Sequence, residues 1–168
     1  YDKKIPKDLT AEEILIRSGN IGSVRIGQKI GVEKFKQFLT KINLINKIEF
    51  DIDEIGIPIP FKWGKCKLAT ISFGHGITTT PLQLAKGYAI VTNGGFDVNP
   101  TIIKKKNKKL IKYKKRVLKE NVSKKINPIL RKIVTSKEGT ANLADVKGYE
   151  IGGKTGTAEK IVSGIYSN

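Results

Sequence analysis

Methionine is absent from the 168 residues, and cysteine and tryptophan occur once each, as Cys66 and Trp63. A lone cysteine excludes an internal disulfide and any zinc site built on cysteine pairs. It leaves the compartment open, because a cysteine-poor chain suits cytosol and periplasm alike. No apolar run approaches the ~20 residues needed to cross a bilayer, and nothing like a signal peptide opens the chain. With no initiator methionine, the sequence is expected to be a piece of something longer, with any export signal or anchor outside it. Acidic residues are scarce too, 15 against 32 Lys and Arg, for a net charge of +17. Such charge invites an anionic partner, nucleic acid or a lipid surface. Here it is spread along the chain, Lys, Ile and Asn are abundant throughout as AT-rich coding would produce, and aromatics are only 7%. Even the lysine-rich stretch from Lys104 to Lys115 holds a single aromatic residue, Tyr113, so no nucleic-acid partner is expected. Attraction to an anionic membrane surface is the milder consequence.

What is present is an apolar fraction of 39%, enough for one folded domain at this length. Thr10 and Glu13 have capping-box spacing at a helix start, with Ile14 and Leu15 following as core and a break at Gly19. Ile21, Val24, Ile26 and Ile30 suit a second short helix closed by Gly31. Val32, Phe35, Phe38, Leu39 and Ile42 then share one helical face. Pro58 and Pro60 make the span from Asp51 to Gly64 an irregular connector. Thr80-Pro81 is a cap followed by a first-turn proline, opening a helix whose apolar surface is Leu82, Leu84, Ala85, Tyr88, Ala89 and Val91, and Gly94-Gly95 ends it. Thr101 to Leu118 reads as a lysine-rich hairpin or a pair of sheet-edge strands. Between Asn121 and Val134 a helix is predicted to start at Pro128 with Asn127 as its cap, because an interior proline breaks a helix. The closing YEIGGKTGTAEKIV suits a glycine-bearing strand that something approaches closely.

The stretch GYEIGGKT, Gly148 to Thr155, satisfies the phosphate-loop pattern G-x-x-x-x-G-K-[ST] at every position. A phosphate loop, however, delivers a buried strand onto a helix N-terminus, so that backbone N–H groups meet the phosphates. The preceding NLADVK is too polar for such a strand, and Gly156-Thr157 is a poor first helical turn. Tyr149 and Ile151 stand where a phosphate needs bare backbone. On an exposed edge strand the same residues would instead take a peptide: glycines 152, 153 and 156 clear space, and Lys154, Thr155 and Thr157 offer charge and hydroxyls to a terminal carboxylate.

Read this way, GYEIGGKTGTAEK resembles the Lys-Thr-Gly motif of the penicillin-binding transpeptidases. SGN at Ser18, Gly19 and Asn20 is similar to their Ser-x-Asn motif. SFGHG, TPLQLA, NGG and EGTA follow in the family's order, so the resemblance covers nearly the whole chain and is closest to the class B, monofunctional enzymes that cross-link septal peptidoglycan. It implies an α+β, serine β-lactamase/transpeptidase-like fold, an antiparallel sheet flanked by helices, with residues 1–168 a partial domain. It also implies a serine in Ser-x-x-Lys that attacks the D-Ala-D-Ala bond of a stem peptide and is blocked by β-lactams. None of the seven serines, at 18, 23, 72, 123, 136, 163 and 167, has Lys three residues on. The nucleophile is therefore expected upstream of Tyr1, and the fragment alone is expected to be inactive.

By the same resemblance, Ser18 relays a proton to the leaving amine, and Asn20 hydrogen-bonds the acyl side of the scissile bond. Lys154 keeps the site positive, Thr155, Gly156 and Thr157 bind the substrate carboxylate, and the Thr157 N–H completes an oxyanion hole. No cofactor or metal is implied. Expected partners are peptidoglycan stem peptides, β-lactams and proteins of the division or elongation machinery, at the outer face of a bacterial cytoplasmic membrane. The alternative is a non-catalytic penicillin-recognising sensor or an inactive relative. His75 is read as structural, Cys66 as an inert thiol, and Gly139 and Thr140 as signature residues that shape the chain without chemistry.

Overall fold

The computed structural model describes residues 6–104, 115–156, 160–162 and 165–167, the last two segments by their backbone alone. Six helices dominate it: α1 (Ala11–Ile16), α2 (Asn20–Ile30), α3 (Val32–Lys41), α4 (Lys65–Ser72), α5 (Pro81–Thr92) and α6 (Glu120–Thr135). Two short strands, β1 (Lys160–Val162) and β2 (Ile165–Ser167), pair antiparallel with Ile161 opposite Tyr166.

The capping signals act as read. Thr10 accepts the Glu13 N–H at 3.2 Å while the Glu13 carboxylate accepts the Thr10 N–H at 2.7 Å. Thr80 and Gln83 form the same reciprocal box at α5. Gly95, past the end of α5, has φ 88°, and a Cβ there would lie 2.1 Å from the Leu118 carbonyl oxygen. That close approach lets the chain return: Val117 N–H donates to Gly95, and Phe96 pairs with Arg116 as an antiparallel bridge. Of the lysine-rich hairpin or strand pair predicted from Thr101 to Leu118, residues 105–114 lie outside the described residues.

Two apolar clusters hold the helices. Leu39, Ile42, Ile71 and Ile90 join α3, α4 and α5 with the segment after α3. Ile16, Leu130 and Ile133 join α1 to α6. Phe38, expected on the buried face of α3, is 39% exposed at that face's edge.

One helix is unanticipated, and two expectations are corrected. α4 was hidden in the sequence, its core contribution being only Leu68 and Ile71. The buried face of α5 is Gln83, Lys86, Gly87 and Ile90, while Leu84 and Tyr88 are exposed. Burying polar side chains is tolerable because each is paired: Gln83 donates to the Asn46 carbonyl at 2.6 Å, and Lys86 meets Asp97 at 3.0 Å.

The second correction concerns α6. It runs unbroken from Glu120 with Pro128 inside, and Asn127 does not cap it. The Asn127 amide instead donates to the Thr92 carbonyl at the end of α5, 3.0 Å away. Upstream, buried Ser123 donates to the Val91 carbonyl and accepts the Gly94 N–H. Anchored to α5 at Ser123 and Asn127, both ahead of the weak point, the helix continues through its proline.

Candidate active site

α6 is the common support of the site. Its Leu130 and Ile133 pack on Ile16 of α1, and Lys132 pairs with Glu12. This fixes where α1 ends. The end is a tight reversal in which Ser18 N–H donates to Leu15 and Gly19 N–H to Ile14, at 3.2 and 2.9 Å. That double closure places Ser18 in the left-handed region, φ 56°. Glycine is the comfortable residue there, since a side chain costs roughly 1–2 kcal/mol. Such strain at a polar residue points toward function.

Further along α6, the Leu130 carbonyl accepts the Gly153 N–H at 3.1 Å, and Arg131 donates to the Ile151 carbonyl at 2.8 Å while pairing with Asp145. Gly152 lies against the helix so closely that a Cβ would sit 3.2 Å from the Arg131 nitrogen. Its missing side chain therefore makes room for α6, where a clearance for substrate was expected. The strand predicted within YEIGGKTGTAEKIV forms at its end, as β1 (Lys160–Val162). Residues 151–156 pair with no strand among the described residues, and α6 engages their Gly153 N–H and Ile151 carbonyl.

The two segments meet at Lys154. Its Nζ lies 2.7 Å from Ser18 Oγ, 2.8 Å from the Thr155 carbonyl oxygen and 3.2 Å from Thr155 Oγ1. Ser18 and Lys154 are 136 residues apart in sequence. An ammonium has three protons to donate, and all three are directed here. Partial burial holds the Lys154 pKa below the ordinary lysine value. Among the described residues no carboxylate pairs with it. The arrangement can attract an anion and pass a proton between Lys154 and Ser18.

Asn20 opens α2 beside Ser18 and is exposed, hydrogen-bonding none of the other described residues through its side chain. Gly156 is exposed next to Thr155, and Thr157 lies outside the described residues. His75 packs against Phe73 with ring centroids 5.2 Å apart and planes tilted by 43°. No group of His, Cys, Asp and Glu among the described residues could hold a metal ion. No helix follows Thr155 among them either, so the phosphate-loop arrangement is not formed.

The motif order on one support decides the family together with a direct match: all of residues 1–168 fit the family described as "Penicillin binding protein transpeptidase domain". The chain belongs to the penicillin-binding transpeptidases. It is 34% identical over 154 residues to the probable peptidoglycan D,D-transpeptidase FtsI of Caulobacter vibrioides, covering 90% of this chain and 26% of that protein. It is 35% identical over 166 residues to stage V sporulation protein D of Bacillus subtilis, covering 92% and 25%. The chain thus spans about a quarter of the length of these curated relatives. Among solved structures, the transpeptidase domain of penicillin-binding protein 3 from Burkholderia pseudomallei is similar, with TM-score 0.86 and 28% identity over 95% of this chain and 49% of that one. Penicillin-binding protein 3 of Mycobacterium tuberculosis complexed with aztreonam gives TM-score 0.81 and 25% identity, over 95% and 39%. The fold is therefore the α+β, serine β-lactamase-like fold of these transpeptidases.

One residue of this penicillin-binding transpeptidase site escaped the sequence reading. Thr140, taken there as a shaping residue, has its Oγ1 2.8 Å from Thr155 Oγ1. Gly139 brings it there, packed so that a Cβ would meet the Ile133 carbonyl oxygen at 2.2 Å. Asn142 fastens the loop by donating to the Val134 and Ser136 carbonyls. The signal was the pair Gly139-Thr140 itself, a small residue delivering a hydroxyl.

Proposed function

We propose that this chain supplies the Ser-x-Asn and Lys-Thr-Gly side of a peptidoglycan D,D-transpeptidase site, completed by a Ser-x-x-Lys segment outside it. The observation that carries the reading is the 2.7 Å contact of Lys154 Nζ with Ser18 Oγ. In the reaction, the nucleophilic serine passes its proton to the lysine of its own Ser-x-x-Lys segment, to be returned when the serine is displaced, as its oxygen bonds to the carbonyl carbon of the penultimate D-Ala and the C–N bond to the terminal D-Ala breaks. The departing nitrogen takes a proton from Ser18, which Lys154 replaces. A lysine with a lowered pKa gives up that proton more readily than an ordinary one. An amine of a second stem then displaces the serine, forming the cross-link and returning its proton to the Ser18–Lys154 pair. Asn20 orients the acyl side, Thr155, Gly156 and Thr157 receive the carboxylate, and the Thr157 N–H is assigned to the oxyanion hole. β-Lactams acylate the same serine and remain there. Anchorage at the outer face of a bacterial cytoplasmic membrane, and work with division or elongation proteins, belong to the same reading; no helix among the described residues is long and apolar enough to cross a membrane.

Labelled penicillin is the test. It should mark the full-length protein covalently and leave residues 1–168 alone unmarked. Ser18→Gly in the full-length protein should slow acylation about 100-fold or more, in the range seen when a positioned proton carrier is lost. It should not lower thermal stability, since it relieves the left-handed backbone. A label on residues 1–168 alone, or an unchanged rate in the glycine variant, would sink the reading.

A further inference from the structure

Thr140 and Thr155 share one hydrogen bond between their hydroxyls, 2.8 Å long, and Thr155 Oγ1 also receives Lys154 Nζ at 3.2 Å. A hydroxyl oxygen has two acceptor sites and a single proton. Lys154, an ammonium, can only donate, and it fills one acceptor site of Thr155. If Thr140 donates as well, the second is filled, and the sole remaining capacity of Thr155 is to donate its own proton outward. Both threonines are exposed, so that proton is accessible to an arriving ligand.

We infer that Thr140 is a positioning residue for ligand recognition: by donating to Thr155 Oγ1 alongside Lys154, it turns the Thr155 hydroxyl into an obligate donor selective for a carboxylate. Resting on the proposed transpeptidase function, the inference adds the means by which the Lys-Thr-Gly segment discriminates. All three Lys154 protons are directed at Ser18 and Thr155. Lys154 therefore contributes its charge, and the hydroxyl contributes the directional bond. A ligand presenting a neutral ester in place of the carboxylate gains much less from such a donor, because hydrogen bonds to ionised acceptors are roughly twice as strong. With Thr140 gone, Thr155 keeps a free acceptor site and can rotate its proton away from the ligand.

The test compares full-length wild type, Thr140→Val and Thr140→Ser in acylation by a penicillin and by its methyl ester, with thermal unfolding in parallel. Valine keeps the shape and removes the hydroxyl, and serine keeps the hydroxyl. Thr140→Val should slow acylation by the acid about tenfold, the scale of one hydrogen bond to a charged group. It should leave the ester rate and the unfolding temperature nearly unchanged, and Thr140→Ser should restore the acid rate. An acid rate in Thr140→Val equal to wild type, an equal loss on acid and ester, or a serine variant as slow as valine would each overturn the role of Thr140 alone. If wild-type protein forms no covalent adduct with either compound, the transpeptidase reading fails, and this inference with it.

Discussion

At Lys154 the site holds a positive charge in a partly desolvated place, which favours function and opposes folding. Burial disfavours the ammonium, so the folded-state pKa lies below the unfolded value near 10.5. Below the folded-state pKa both states carry the proton and the burial penalty is fully present. Between the two values the unfolded chain binds more protons than the folded one, so stability rises with pH through that window. Lys154→Met should remove this rise. Urea unfolding of full-length wild type and variant from neutral pH to about pH 10.5 measures it, and the difference between the two curves isolates Lys154 from other groups titrating there. The variant should be no less stable than wild type at neutral pH and should fail to be acylated at a measurable rate. Equal pH slopes in the two proteins would show that burial is not what perturbs this lysine.

At the scale of elements, capping residues were the most readable part of the sequence, because a cap is a local hydrogen-bond exchange. Thr10 with Glu13, and Thr80 with Pro81 and Gln83, mark real helix starts. The buried face of α5 was unreadable for the opposite reason. Whether Gln83 and Lys86 can be buried depends on Asn46 and Asp97, partners on distant segments. The same holds in the site: Ser18 and Lys154 were identifiable from their motifs, whereas Thr140 acts only through a contact made in three dimensions. Pro128 shows how tertiary anchors override a local rule. It removes the N–H that would bond the Lys124 carbonyl, yet Ser123 and Asn127 hold the helix against α5. Since those anchors do not need the proline, Pro128→Ala should restore the missing bond. An interior proline costs about 3 kcal/mol and its stiffening of the unfolded chain returns up to about 1, so a gain on the order of 1–2 kcal/mol is expected in urea unfolding. A loss of stability would mean that packing around Asn127 and Thr92 requires the proline's bend.

For the molecule as a whole, stability and site geometry rest on different clusters. Ile90 and Ile133 are both 0% exposed, one in the α3–α4–α5 cluster and the other in the α1–α6 cluster. Truncating either to alanine should cost a similar 2–5 kcal/mol, the range for emptying a packed core position. Their effects on chemistry should differ. Ile133 lies where α6 sets the end of α1, and its carbonyl accepts the Ala141 N–H that follows Thr140. Loosening it shifts Ser18 and Thr140 relative to Lys154, and displacements of an ångström between reacting groups can cost about 100-fold. Ile90 is joined to the site less directly, through the α5–α6 anchors at Ser123 and Asn127 and through Ile71 of α4, which packs on α2. Acylation of the folded full-length protein, followed with labelled penicillin at a temperature where both variants remain folded, should therefore fall at least tenfold in Ile133→Ala and stay within about twofold of wild type in Ile90→Ala. Equal losses in both would show that the two clusters move as one unit and that α6 does not hold the site independently of α5.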